Sequence, residues 1–138
     1  KWAVRKTDAT ILREEEQWLE VPALSAVWMD KVELPQIDCF NEYVSYEAWE
    51  NDQIISQGTV IFSYPKYFRY LNPGLTVRVD GDEIVVKAEA YAKSVEIRNA
   101  NDDLILEDNY FDMNAGEHRV KILDGKPDGL TVRSVYDI

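Results

Sequence analysis

The side chains best suited to chemistry in this sequence are its carboxylates, its single cysteine and single histidine, and its four tryptophans. Paired carboxylates can serve as general acid and base. With 26 Asp and Glu residues, however, some pairs fall within reach of each other by chance, and no spacing singles one out. A nucleophilic thiol needs a histidine beside it. The sole candidate partner for Cys39 is His118, which sits in a charged, strand-like stretch. Cys39 is therefore read as a reduced, buried small residue. One Cys and one His cannot supply the four ligands of a structural zinc site. The acidic run from Asp102 to Asp112 lacks the alternating oxygen ligands and central glycine of a calcium loop, so it is read as solvated turns flanking a short strand. Asp80-Gly81-Asp82-Glu83 is read as a tight hairpin, and Glu14-Glu15-Glu16 as a solvated turn, since like charges favour water. Trp2, Trp18, Trp28 and Trp49, with eight tyrosines, could form a stacking platform for flat ligands. Aromatics also fill small cores and domain interfaces, and that reading is preferred for each tryptophan. No glycine-rich phosphate cradle, Walker pattern or Gly-x-Ser-x-Gly elbow occurs. The expectation is a chain with no catalytic, cofactor-binding or metal-binding residues and no cofactor.

The elements that would position any site are strands. Residues 76–80 alternate cleanly and lead into the Asp80-Gly81 turn signal. In 84–90, Ile84, Val86, Ala88 and Ala90 share one face. Val95 and Ile97 point inward in 94–98, as do Val120 and Ile122 in 119–123, and 130–135 completes the set. Asn99–Asp103, Asn114-Ala115-Gly116 and Asp124–Gly129 supply loop chemistry between them. The first half predicts strands at 2–7, 17–21, 26–34, 42–50 and 53–63. The last two flank Asn51-Asp52 as a hairpin, with Val44, Tyr46 and Ala48 on one face. No long 3.6-residue stripe with caps appears, so helix content is expected to be low. Residues 64–74 carry two prolines and four aromatics, which reads as a linker packed between two β units.

Composition bounds the rest. The 138 residues are 46% hydrophobic and 12% aromatic, enough to build a core, and the formal net charge is −11. Such a surface repels phosphates and anionic lipid, which excludes nucleic acid and membrane as expected partners. No run approaches the ~20 apolar residues of a membrane helix. The start, Lys1-Trp2-Ala3-Val4-Arg5-Lys6, is not a signal peptide. It opens inside an apparent strand without Met, so the chain is read as an excised piece. Its compartment is left open, with a cytoplasmic location favoured over a secreted one.

Two stretches carry a resemblance. Tyr64-Pro65-Lys66-Tyr67-Phe68-Arg69-Tyr70-Leu71-Asn72-Pro73-Gly74-Leu75 and Glu107-Asp108-Asn109-Tyr110-Phe111-Asp112-Met113-Asn114-Ala115-Gly116-Glu117 resemble the C-terminal portion of glycoside hydrolase family 2 β-mannosidases. There, similar segments join two immunoglobulin-like domains and mark the last one. Trp18-Leu19-Glu20-Val21-Pro22-Ala23-Leu24-Ser25 is similar to a strand and turn of the same family. The resemblance covers about residues 10–138. It departs at Asn114-Ala115, where the family often has Leu-Pro, and related exo-β-glucosaminidases end similarly.

The resemblance implies an all-β, immunoglobulin-like β-sandwich fold in which one complete small sandwich is preceded by a partial one. Residues 1–63 would be the later strands of the partial sandwich, 64–74 the packed linker and 75–138 the C-terminal sandwich. It implies a non-catalytic accessory region of a β-mannosidase-like glycosidase that supports structure and borders the active-site mouth. Its partner would be an upstream catalytic domain of the same chain. The family's acid/base glutamate lies in an Asn-Glu pair on a barrel strand; Asn41-Glu42 has no such context and is read as coincidence. Phe111 is expected in the core, with Asp108 or Asn109 bonding the backbone. The truncated half is expected to pair with another chain through an exposed sheet edge, giving a homo-oligomer, or to lean on residues 67–138. The competing readings are a carbohydrate-binding module using exposed aromatics and a cell-surface interaction sandwich.

Overall fold

The computed structural model describes all residues, Lys1–Ile138. It is all-β apart from two short 3₁₀ turns at Pro65–Tyr67 and Val135–Asp137, and none of its helices is long and apolar enough to cross a membrane.

The first unit is one antiparallel sheet. Its strands are β1 (Trp2–Lys6), β2 (Ile11–Glu15), β3 (Glu42–Glu50) and β4 (Gln53–Ile61), in the order β2-β1-β3-β4. Asn51 and Asp52 turn β3 into β4 with φ of 47° and 62°, the paired left-handed conformation that matches strand twist in a two-residue hairpin. Directly opposed residues of an antiparallel pair share a face. The register therefore puts Trp2, Val4, Val44, Tyr46 and Val60 on one face, and Ala3, Arg5, Tyr43, Ser45, Thr59 and Ile61 on the other. Tyr46 lies opposite Gly58, and a Cβ on Gly58 would stand 2.6 Å from the Tyr46 hydroxyl oxygen. The missing side chain makes room for the tyrosine ring across the neighbouring strand.

The second unit is a sandwich. β5 (Thr76–Asp80), β6 (Glu83–Ala88), β10 (Gly116–Asp124) and β8 (Ile105–Leu106) form one sheet, in the order β5-β6-β10-β8. The other holds β11 (Thr131–Arg133), β7 (Ala92–Arg98) and β9 (Phe111–Met113). The inward alternation read in the sequence is what fills the space between them. Ile84, Val86, Ala88 and Val120 from the first sheet meet Ala92, Val95, Ile97, Phe111 and Met113 from the second. At ~25 cal/mol per Å² of apolar area removed from water, such burial is the dominant stabilising term. The Asp80-Gly81 turn forms as expected, with Gly81 at φ 66°. Phe111 is buried. The Asn109 side chain accepts from the Ile97 N–H at 2.9 Å and donates to the Ile97 carbonyl at 3.0 Å. The Asp108 carboxylate accepts the Asn109 N–H at 2.8 Å.

Several expectations fail in the first unit. Residues 17–21 and 26–34 are not strands; 16–41 is an irregular loop with isolated turns. β2 pairs with β1 on the side away from β3, so Glu14 and Glu15 lie on an edge strand rather than in a turn, opposite Ala3 and Trp2. Their side chains stay in water, and charge on an edge is a usual defence against pairing with another chain. Cys39 is only half-buried, in the loop before β3. None of the four tryptophans is buried: Trp18 and Trp28 are 88% and 97% exposed, Trp49 is 44% exposed and Trp2 is half-buried. In 130–135 only Thr131–Arg133 is strand. β8 is the short strand expected within the acidic run, but β9 also falls there and the run does not end in a solvated turn. Asp112 lies in β9 with its side chain only 14% exposed.

Candidate functional site: the junction between the two units

A polar arrangement that links the two units lies where the first sheet meets the sandwich. Alternation along β9 sends Phe111 and Met113 into the core and Asp112 to the opposite face. There the Asp112 carboxylate faces the first sheet. One oxygen accepts the Ser94 backbone N–H at 2.8 Å. The other accepts the Lys93 ammonium at 2.9 Å and the Thr59 hydroxyl of β4. The Thr59 hydroxyl has one hydrogen, committed to the carboxylate, so its 2.6 Å contact with Tyr91 is one in which the phenol donates. The chain of donors thus runs from Tyr91 through Thr59 to Asp112. Ser94 sits at φ 52°, where the β7–β9 register slips between Ala92 and Val95. The bulge turns the Ser94 N–H toward the carboxylate.

Beside this acceptor lies an aromatic cluster. Tyr43 of β3 stacks on Tyr91 with ring centroids 3.9 Å apart and planes 16° from parallel. Phe68 meets Tyr91 edge-on at 6.1 Å, and Tyr70 tilts against Phe68 at 4.9 Å. Tyr43, Phe68 and Tyr91 form a buried cluster shared by the first sheet, the connecting segment and the sandwich. The Tyr43 hydroxyl donates to Asn114 Oδ1 at 2.6 Å, and the Tyr91 N–H donates to the Thr7 carbonyl at 3.0 Å. Burial pushes the Tyr43 and Tyr91 phenols far above their usual range and Tyr70 up to about 12, with the nearby Asp112 charge adding to each. All three are neutral at any ordinary pH; Tyr43 and Tyr91 hydrogen-bond through their hydroxyls, whereas the buried Tyr70 hydroxyl has no partner.

A groove of about 200 Å³ opens along the junction, with Gln57, Thr59, Asp112, Asn114 and His118 among its lining. His118 packs on the Phe111 ring at 4.1 Å. Burial lowers its pKa, opposed by the Asp108 charge, so the imidazole is neutral near pH 7. Cys39 lies in the loop before β3 and His118 on β10. No three His, Cys, Asp or Glu side chains converge in a way that could hold a metal ion. Glu42 accepts the Asp38 backbone N–H at 3.1 Å, beside the turn that leads into β3. The tryptophans do not combine into a platform on one sheet face. Trp18 and Trp28 stand on the 16–41 loop, and Trp49 carries the Lys1 ammonium over its ring at 4.9 Å. Reasoning from sequence missed Asp112, Thr59, Lys93 and Ser94. The usable signal was the Phe-Asp-Met alternation at 111–113, which forces Asp112 out of the core.

Two domain profiles divide the chain. Residues 70–138 match the mannosidase type of Ig-fold domain, and residues 1–67 match the Mannosidase Ig/CBM-like domain. The chain belongs to the mannosidase Ig-fold family. Its fold is also similar to the crystal structure of a β-D-mannosidase from Dictyoglomus thermophilum, with a TM-score of 0.69 and 18% sequence identity over 97% of this chain. The chain spans only 18% of that protein's length. No curated protein matches it by sequence. The two matches meet between residues 67 and 70, in the connecting segment that packs at the junction.

Proposed function

We propose that this Ig-fold pair is a non-catalytic brace within a β-mannosidase-type glycosidase. In that role it is joined to a catalytic domain of the same polypeptide, which cleaves terminal β-mannosides, and it stabilises that domain close to the active-site mouth. In this reading residues 1–63 are part of an immunoglobulin-like sandwich completed by further chain, 64–74 is the packed linker and 75–138 is the closing sandwich. The observation that carries the proposal is the uncovered apolar surface of the first unit. One face of its sheet leaves Tyr46 and Val60 more than 40% exposed, and the 16–41 loop holds out Trp18, Leu24 and Trp28. Apolar surface on this scale usually belongs to an interface. The hydrogen-bonded junction on the opposite face of the sheet provides a mount. The test is to read the gene beyond this segment and assay the whole product. A barrel-type catalytic domain, with a thermal inactivation half-life shortened by Trp18→Ser and Trp28→Ser, supports the brace. Unchanged inactivation would count against it.

The exposure of Trp18 and Trp28 also favours a second reading, a carbohydrate-binding module. Titrating the chain with mannose oligosaccharides while following tryptophan emission separates the two. A saturable change points to sugar stacking, and a flat response supports the brace. Strand β4 ends the first sheet with Ile54 and Ile55 exposed, which supports a reading in which copies pair along this edge. A strict monomer by light scattering at high concentration would remove that option.

A further inference from the structure

The two units are unequal in what holds them. The nine buried residues of the sandwich core all come from 84–120. The first sheet supplies no buried cluster of its own: its one buried aromatic, Tyr43, packs only in the cluster completed by Phe68 and Tyr91. Its remaining fully covered residues are small or polar apart from Val4, namely Ala3, Thr7 and Ser45. With little buried apolar surface of its own to offset its ordering entropy, the sheet draws its burial from the contact with the sandwich.

The polar contacts point the same way. Asp112 is fixed by its own unit, through the Ser94 N–H on the bulge and the Lys93 ammonium, before it receives Thr59. From these observations we infer that Asp112 is the positioning residue that docks the first sheet onto a sandwich able to fold without it. The dependence runs in one direction: the sandwich folds by itself, and the sheet is held by Asp112 acting through Thr59 and Tyr91.

The sequence provides the reporter. All four tryptophans lie at or before Trp49, in the first unit. Trp2, with Arg13 over its ring at 5.0 Å, and Trp49, under Lys1, have tertiary environments to lose. Tryptophan emission therefore follows the first sheet, while amide exchange at Val85, Val95 and Val120 follows the sandwich. In the full chain, Thr59→Val removes the donor to Asp112 and leaves the Ser94 and Lys93 contacts intact. The tryptophan transition should then fall by about 5 °C or more, with exchange protection at the sandwich amides unchanged. Asp112→Asn should lower the tryptophan transition further and separate it from the sandwich transition. If Thr59→Val leaves the tryptophan transition in place, or lowers it together with sandwich protection, the inference is overturned. If Asp112→Asn does not fold, Thr59→Val still decides the question.

Discussion

Phe111 offers the sharpest test of how the sandwich is built. The ring is 8% exposed, belongs to the nine-residue core and lies against His118 at 4.1 Å. Phe111→Ala removes the ring from a packed site whose neighbours, Val95 and Ile97 of β7 and Val120 of β10, are held by their ladders. The wall can close only partly, so both the transfer and the cavity contributions apply, about 3–5 kcal/mol together. For a domain of this size a loss of ~3 kcal/mol lowers the melting midpoint by about 12 °C or more. Because the first sheet depends on the sandwich, tryptophan emission and far-ultraviolet circular dichroism should fall together in this variant, unlike in Thr59→Val. A Phe111→Ala chain that melts like the parent would refute the placement of Phe111 in the core. A melt in which tryptophan emission stays at the parental midpoint would refute the dependence.

Asn109→Ala should cost about 1–3 kcal/mol, because the Ile97 N–H and carbonyl both lose their partner at a site 3% exposed; chemical denaturation measures it. His118 gives a pH dependence. Its folded pKa lies below the ordinary 6.5 because burial disfavours the imidazolium. The unfolded chain therefore takes up the proton first as pH falls below 6.5, and stability present above that value is lost on the way down to the folded pKa. His118→Phe should flatten that slope in denaturation midpoints measured between pH 7.5 and 5.5. An unchanged slope would assign it to the carboxylates instead. Tyr43→Phe removes the donor to Asn114 but keeps the ring stack, so it should cost about 1 kcal/mol, seen in the tryptophan transition.

The sandwich was largely legible from its alternation. Ile84, Val86, Ala88, Val95, Ile97 and Val120 point inward because a two-sheet core leaves them no other place. The first unit was less legible. Residues 17–21 and 26–34 have strand-like composition, with Trp18, Val21, Val27 and Trp28. Strand propensity reflects fit to a half-buried pleated surface, and no partner strand lies beside them. Conversely, Ile11–Glu15 forms a strand despite its charges, because backbone pairing to β1 does not depend on them. Tryptophan content suggested core or interface, and the cores themselves are filled by aliphatics, Phe111, Phe68 and tyrosines. Asp112 could be placed outside the core by alternation. That Thr59, 53 positions earlier, would meet it is a tertiary fact with no local signal.

We propose that this pair of Ig-fold units supports catalysis without performing it, a role in keeping with a polar cluster that joins its two units. The most direct measurement is hydrolysis of an aryl β-mannoside by the purified 138-residue chain. The account predicts release of the aryl group at the rate of the buffer blank. Turnover that scales with chain concentration and survives repurification would contradict it.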